Sequence, residues 1–242
     1  MTTIEPLDVL AIFAHPDDAE LLCGGTLAAS ADRGRRVGLV DLTRGETASR
    51  GTPERRAEES QAAARILGAV HRECLGLPDA GLEDTPEARL VVARALRRLR
   101  PRVVITHALT GRHPDHATAA TLVRHAVFVA GLRMLAPDLP IHRPDKVLHA
   151  IGFRDDAPAP TFVVDISETF ERKLAAIAAY RSQFDGLVQA GEVYPNGEPL
   201  ADIVRHQAAH HGARIRRRYG EPFFTTETMR VEDVASLDVP TF

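Results

Sequence analysis

The feature that most constrains this chain is its alternation of short apolar runs with longer stretches of helical period. Asp8 to Phe13 and Val37 to Leu42 are rich in Val, Ile and Leu at successive positions. Successive side chains of a strand face opposite ways, so such runs need cover on both faces. Shorter candidate strands lie around Glu73 to Leu75 and Val103 to Thr106. Helices are expected between them. One starts where Thr52 can cap and Pro53 takes the first turn, burying Ala63, Ile66 and Leu67. The next repeats the device with Thr85 and Pro86, burying Val92, Ala95, Leu96 and Leu99; a further helix starts near Pro114 and aligns Ala119, Leu122, Val123, Ala126 and Val127. Strand then helix, repeated four times, predicts an α/β fold with a mostly parallel sheet, helices on both faces and ligands at the carboxyl ends of the strands.

The second half is less regular. Lys146 to Gly152 and Thr161 to Ile166 read as strands, separated by the loop Asp155 to Pro160. Ser167 is expected to open a helix burying Phe170, Leu174, Ile177 and Ala178, and a last helix to run from about Leu200 to Arg218. No internal repeat or linker interrupts the pattern, so residues 1–242 are expected to form one domain with a C-terminal α/β extension.

Net charge is −3 with both signs interspersed, which argues against a nucleic-acid or membrane surface, since either needs clustered positive charge. The densest basic run, Arg214 to Arg218, reads as a solvated helix face. Cys23 and Cys74 cannot build a disulfide framework. With no basic leader followed by a long apolar stretch and no span of about 20 apolar residues, a soluble cytoplasmic protein is expected.

The chemistry concentrates in two segments. Ala14-His15-Pro16-Asp17-Asp18-Ala19-Glu20 follows the first strand. Adjacent carboxylates repel, and partial burial would raise a pKa unless a cation compensates; a divalent metal held by His15 and Asp18 would do so, leaving Asp17 free. Capping of the first helix is the plainer role open to these aspartates. The second segment, Gly111-Arg112-His113-Pro114-Asp115-His116, follows the fourth strand. In a parallel sheet both segments meet at one edge. His15, Asp18 and one histidine of the second pair would then offer two nitrogens and one carboxylate oxygen, which suits zinc and also accommodates iron(II). Asp17 is placed to act as general base towards an activated water, and the remaining histidine to stabilise an oxyanion and protonate a departing amine, with Asp115 holding its tautomer. Those parts describe amide hydrolysis.

The two segments resemble the PIG-L (LmbE-like) metal-dependent deacetylases of N-acetylglucosaminyl compounds. The resemblance implies a Rossmann-like sheet, His15, Asp18 and His116 as metal ligands, Asp17 as base, His113 as oxyanion and acid residue, and Asp115 as its support. Further stretches resemble the branch acting on N-acetylglucosaminyl malate in bacillithiol biosynthesis: Asp41 to Glu46, Arg50 to Arg55, His142-Arg143-Pro144, Val164 to Ser167 and Tyr180 to Phe184. Malate carries two carboxylates, and Arg50 can meet one with a bidentate fork; pairing with Glu46 or Glu54 is the competing role for Arg50. Deacetylation of another N-acetylglucosaminyl conjugate (a mycothiol-type inositol glycoside or a bacillithiol conjugate) is the alternative within this class. The partner is accordingly a small amino-sugar conjugate, and the family suggests a homo-oligomer.

Other features read more plainly. His206 and His210, spaced i and i+4, lie among arginines and read as a surface pair; His71, His107, His125 and His149 read as isolated, with His107 raised slightly by its place at a strand end. Gly24 and Gly25 are expected to permit close helix packing, and Tyr194 is the candidate lid residue. No GxGxxG follows the first strand, which disfavours a dinucleotide-binding enzyme. A non-catalytic sugar- or metal-binding module would have no need of Asp17 and His113.

Overall fold

The computed structural model describes residues 5–152, 158–185 and 199–239. Tyr194, and Asp155 to Ala157 of the expected loop, lie outside the described residues. In chain order the elements are β1 (Val9–Phe13), α1 (Asp18–Asp32), β2 (Val37–Thr43), α2 (Pro53–Leu67), β3 (His71–Leu77), α3 (Pro86–Leu99), β4 (Val103–His107), α4 (Pro114–Ala130), β5 (Lys146–Ala150), β6 (Phe162–Asp165), α5 (Phe170–Ala178), α6 (Arg181–Phe184), α7 (Leu200–Arg214) and β7 (Gly220–Phe224). The strands form one sheet in the order β3-β2-β1-β4-β5-β7-β6. β1 to β5 are parallel, and β7 runs antiparallel between β5 and β6.

The period-2 alternation of the strands divides the core. Leu10 and Ile12 of β1, with Val40, Leu42 and Val104, pack under α3 and α4. Ala11 and Phe13, with Val37, Leu39 and Ile105, pack under α1, α2 and α5. Each fully buried Leu, Ile or Phe contributes about 1.5–3 kcal/mol of transfer free energy, so the sheet is held from both faces. The expected caps form: the Thr52 hydroxyl accepts from Arg55 N at 3.3 Å and that of Thr85 from Ala88 N at 3.2 Å, each followed by proline. Gly25 lets α1 approach the C-terminal half, for a Cβ there would lie 2.8 Å from Ile166.

The C-terminal half departs from expectation in three places. The α5 helix begins at Phe170 because the Ser167 hydroxyl turns to Asp165 Oδ1 at 2.6 Å instead of capping. The last helix stops at Arg214, and the basic run to Arg218 is a solvated turn, with Arg216 in the left-handed region at φ 56°. The chain then returns as β7, a strand whose Glu221 and Pro222 disguise it. Glu221 is tolerated inside because Lys173 Nζ (2.6 Å), Gly25 N (3.0 Å), Thr26 N (2.7 Å) and the Thr26 hydroxyl (2.6 Å) all donate to its carboxylate. A buried charge so fully paired ties β7 to α1 and α5.

Candidate active site

β1 and β4 are neighbours, and the connections leave them towards opposite edges of the sheet, so the crevice at their carboxyl ends is the switch point where such sheets bind ligands. Both chemical segments converge there. Asp18 is the hub. Its Oδ2 accepts from His15 N at 2.8 Å and lies 3.3 Å from His15 Nδ1, while its Oδ1 lies 3.3 Å from His116 Nε2. The His15 and His116 ring centroids are 5.4 Å apart, and those of His15 and His113 are 4.7 Å apart. Burial pushes the Asp18 carboxyl up, but His116 and His107 outweigh it and hold it well below the ordinary range.

Asp17 occupies φ 104°, a region rare for any residue but glycine. Such backbone strain persists when surroundings over-determine it. Here the buried Arg56 guanidinium does so, donating from Nη2 to Asp17 Oδ2 and to Pro16 O, both at 2.7 Å, and from Nη1 to Gly45 O at 3.4 Å. Gly45, at φ 65°, leaves room for that guanidinium, which a Cβ would overlap. Burial raises the Asp17 carboxyl to about 6, partly offset by Arg56. Beneath it, Arg72 forks onto Asp41 at 2.8 and 2.9 Å and reaches Glu20, which also accepts from the Tyr180 hydroxyl at 3.1 Å.

The far side of His15 is held as firmly. Its Nε2 faces Asp79 Oδ1 at 3.0 Å and Asp115 Oδ2 at 3.3 Å. Asp79 is fixed by Thr47 N (2.8 Å) and the Thr47 hydroxyl (2.7 Å), and Asp115 by Ala80 N (2.8 Å) and Leu82 N (3.3 Å). This corrects the role expected of Asp115. Its carboxylate supports His15, and only its backbone N–H reaches His113, at Nδ1 and 3.3 Å. His113 is therefore the N-cap of α4, and a neutral ring that accepts at Nδ1 keeps its proton on Nε2. Burial and the neighbouring His15 and His116 lower its pKa from 6.5.

Sequence reasoning missed Asp79 and Arg56 and underrated His107. His107 ends β4, fully buried, with its ring stacked 4.1 Å from that of His116. Its Nε2 lies 3.1 Å from Ala14 N and 3.2 Å from Asp18 Oδ2, and burial lowers its pKa to about 4. Only the adjacency of β1 and β4 reveals it. Neither is His149 isolated: its Nδ1 donates to His107 O at 2.6 Å.

Three donor groups with atoms all within 4.8 Å of one another occur among the described residues: His15, His113 and His116; Asp18, His107 and His116; and His15, Asp79 and Asp115. The expected trio of His15, Asp18 and His116 is not itself one of these groups; its members are divided between the first two, which share His116. The donor chemistry fits a cation. When the His15 Nε2–H is held by carboxylates, its Nδ1 lone pair is aimed at the Asp18 side, the carboxylate–histidine–metal arrangement.

Arg50 lies in the loop before α2, its carbonyl held by Gln183 Nε2 at 2.9 Å. The ion pair with Glu46 or Glu54 does not form among the described residues. Glu46 instead accepts from Asp79 N at 3.0 Å and from Arg44 N at 3.2 Å. His142 and Arg143 lie away from the site, His142 against Pro101 O and Arg143 over the Phe128 ring.

Residues 10–127 match the family model described as PIG-L, GlcNAc-PI de-N-acetylase. The diacetylchitobiose deacetylase of Thermococcus kodakarensis is 32% identical over 88% of this chain and 80% of its own length. The chain belongs to the PIG-L family. A 1D-myo-inositol 2-acetamido-2-deoxy-alpha-D-glucopyranoside deacetylase of Saccharopolyspora erythraea is 32% identical over 72% of this chain and 82% of that protein. A probable N-acetyl-alpha-D-glucosaminyl L-malate deacetylase of Bacillus cereus is 30% identical over 75% and 86%. The crystal structure of the conserved protein TT1542 from Thermus thermophilus superposes with a TM-score of 0.83 at 42% identity, covering 93% of this chain and 98% of that one. The PIG-L chain thus shares its architecture with the Thermus thermophilus protein.

Proposed function

We propose that the protein is a metal-dependent N-deacetylase that hydrolyses the acetamide of an N-acetylglucosaminyl conjugate to a free amine and acetate. The observation that carries this reading is the convergence on Asp18 of His15 and His116, with Asp17 and His113 at their side and each oriented by a separate contact. His15, Asp18 and His116 would hold the ion, zinc by preference of the donor set and iron(II) by the same set. Bound there, it would supply a Lewis acid and lower the pKa of the attacking water.

The protein's own groups do the rest. Asp17, aimed and kept ionised by Arg56, takes the proton of the water that attacks the acetyl carbon. His113 presents Nε2–H to the oxyanion, and because a neutral ring that accepts at Nδ1 has no spare proton, the one taken by Asp17 passes to the departing nitrogen as the C–N bond breaks. Asp115 and Asp79 hold the tautomer of His15. His107 is no donor through Nε2 while Ala14 N–H occupies that lone pair, so it packs the hub.

For the substrate we infer the malate glycoside. Arg50 lies in the loop before α2 and Arg112 directly precedes His113, and neither has a carboxylate partner among the described residues, so both are free to meet a dicarboxylate. The relatives acting on chitobiose and inositol glycosides supply the second reading. We place the enzyme in the cytoplasm, in keeping with the absence, among the described residues, of a helix long and apolar enough to cross a membrane. Acetate release from N-acetylglucosaminyl malate, the inositol glycoside and diacetylchitobiose, each with and without chelator, tests these readings. Chelator-sensitive release fastest from the malate conjugate supports them. Faster release from a neutral glycoside transfers the assignment to that substrate, and none from a metal-loaded sample overturns the reading.

A further inference from the structure

Arg50 stands on a loop that the second half of the chain grips. It is half-buried, and its guanidinium has no carboxylate partner among the described residues. The loop 44–52 that carries it is pinned in three places. Near its start, Gly45 O accepts from Arg56 Nη1 at 3.4 Å. In its middle, Thr47 donates to Asp79, the carboxylate that faces His15. At its end, Arg50 O accepts from Gln183 Nε2 at 2.9 Å. The first two contacts support the chemistry. The third comes from α6, where the side chains of Ser182 and Gln183 bond to Glu59, to Arg50 O and to each other, and to no catalytic group.

The short α6 turn is built as an anchor. Tyr180, just before it, is fully buried and donates its hydroxyl to Glu20, and Phe184 at its end packs against the same core. Between them, Ser182 takes both oxygens of the buried Glu59 carboxylate of α2, from its N–H at 2.8 Å and its hydroxyl at 2.6 Å. Paired bonds to a carboxylate fix orientation as well as distance. Gln183 bridges the remaining gap, donating to Arg50 O and, at 3.1 Å, to the Ser182 hydroxyl. Gly51 lets the loop lie against this turn: it sits at φ 74°, and a Cβ there would lie 2.8 Å from Ser182 Oγ. An arginine whose backbone is already fixed loses less freedom when a carboxylate arrives, so such a grip strengthens binding without touching the ligand.

We infer that Ser182 and Gln183 are positioning residues for substrate choice, a latch that aims Arg50 at the carboxylate of an anionic aglycone. The inference rests on the malate glycoside being the substrate, since a neutral aglycone gains nothing from an aimed guanidinium.

Gln183→Met keeps the length of the side chain and removes its donor, and circular dichroism with metal analysis checks that the enzyme is otherwise intact. With N-acetylglucosaminyl malate its KM is expected to rise about three- to tenfold, the worth of one hydrogen bond, while kcat holds. Both constants for the inositol glycoside should stay where they were. Arg50→Ala should also raise KM for the malate conjugate, and adding Gln183→Met to it should raise KM no further, because the latch acts through Arg50 alone. Trypsin on the folded, metal-loaded enzyme reads the loop directly: mass spectrometry should find the Arg50–Gly51 bond cut about three- to tenfold faster in Gln183→Met. Equal losses on both glycosides, or additive losses in the double variant, overturn the latch. So does an Arg50–Gly51 bond no more labile than in the unaltered chain, whichever substrate the enzyme prefers. Faster cleavage in Gln183→Met, beside an Arg50→Ala enzyme whose KM for the malate conjugate is unchanged, overturns the malate reading instead, and with it the role in substrate choice.

Discussion

The reading of His15 as a metal ligand makes a quantitative prediction about protons. In the metal-free protein, burial alone would lower the His15 pKa, but Asp18, Asp17 and Asp79 together raise it from 6.5 to about 9. An ion can bind Nδ1 only after that nitrogen's proton leaves. At pH 7 about 1% of His15 has the lone pair available, a cost of roughly 3 kcal/mol to apparent affinity. Zinc affinity should therefore rise about tenfold per pH unit between about pH 6.5 and 8.5 and flatten near 9. Titration calorimetry into metal-free protein, in buffers of different ionisation enthalpy, should record about one proton released from His15 per ion at pH 7. The same raised pKa stabilises the metal-free fold below pH 6.5 by about 3 kcal/mol, a contribution lost as pH climbs through 9. Affinity that stays flat from pH 6.5 to 8.5, with no proton reaching the buffer, would refute the assignment of His15.

Three further outcomes are expected. Asp17→Asn should keep its metal, measured by elemental analysis, while kcat falls by about 10²- to 10⁴-fold; loss of the metal would make Asp17 a ligand instead. Asp115→Asn removes a carboxylate from His15 Nε2 and should weaken metal affinity by about 10- to 100-fold in a chelator competition, whereas a role confined to His113 would leave affinity unchanged. Gly25→Ala forces a methyl against Ile166 and should lower stability in urea by about 1–3 kcal/mol; a neutral result would show that α1 and the C-terminal half can separate at no cost.

The elements whose shape is set locally are legible in the sequence. β1 and β2, the proline-started helices α2, α3 and α4, and the caps at Thr52 and Thr85 emerged where apolar period and cap chemistry placed them. β7 was not legible. Its Glu221 and Pro222 deny it the look of an inner strand, and only Lys173, Gly25 and Thr26, distant in sequence, make Glu221 acceptable inside. The helix expected to open at Ser167 forms but begins only at Phe170, because a competing local acceptor, Asp165, captured the hydroxyl.

The site divides along the same line. Its donors were written in the sequence, since His15, Asp17, Asp18, His113, Asp115 and His116 follow two strands whose carboxyl ends share an edge in a parallel sheet. Which donor serves which neighbour was decided by tertiary structure alone. The adjacency of β1 and β4 brings His107 to Asp18, packing of α2 brings Arg56 to Asp17, and the loop after β3 brings Asp79 beside Asp115 onto His15. Periodicity and capping act over a few residues, so they determine elements and the residues at their ends. Sheet order and loop packing join positions tens of residues apart, through contacts that no local pattern encodes.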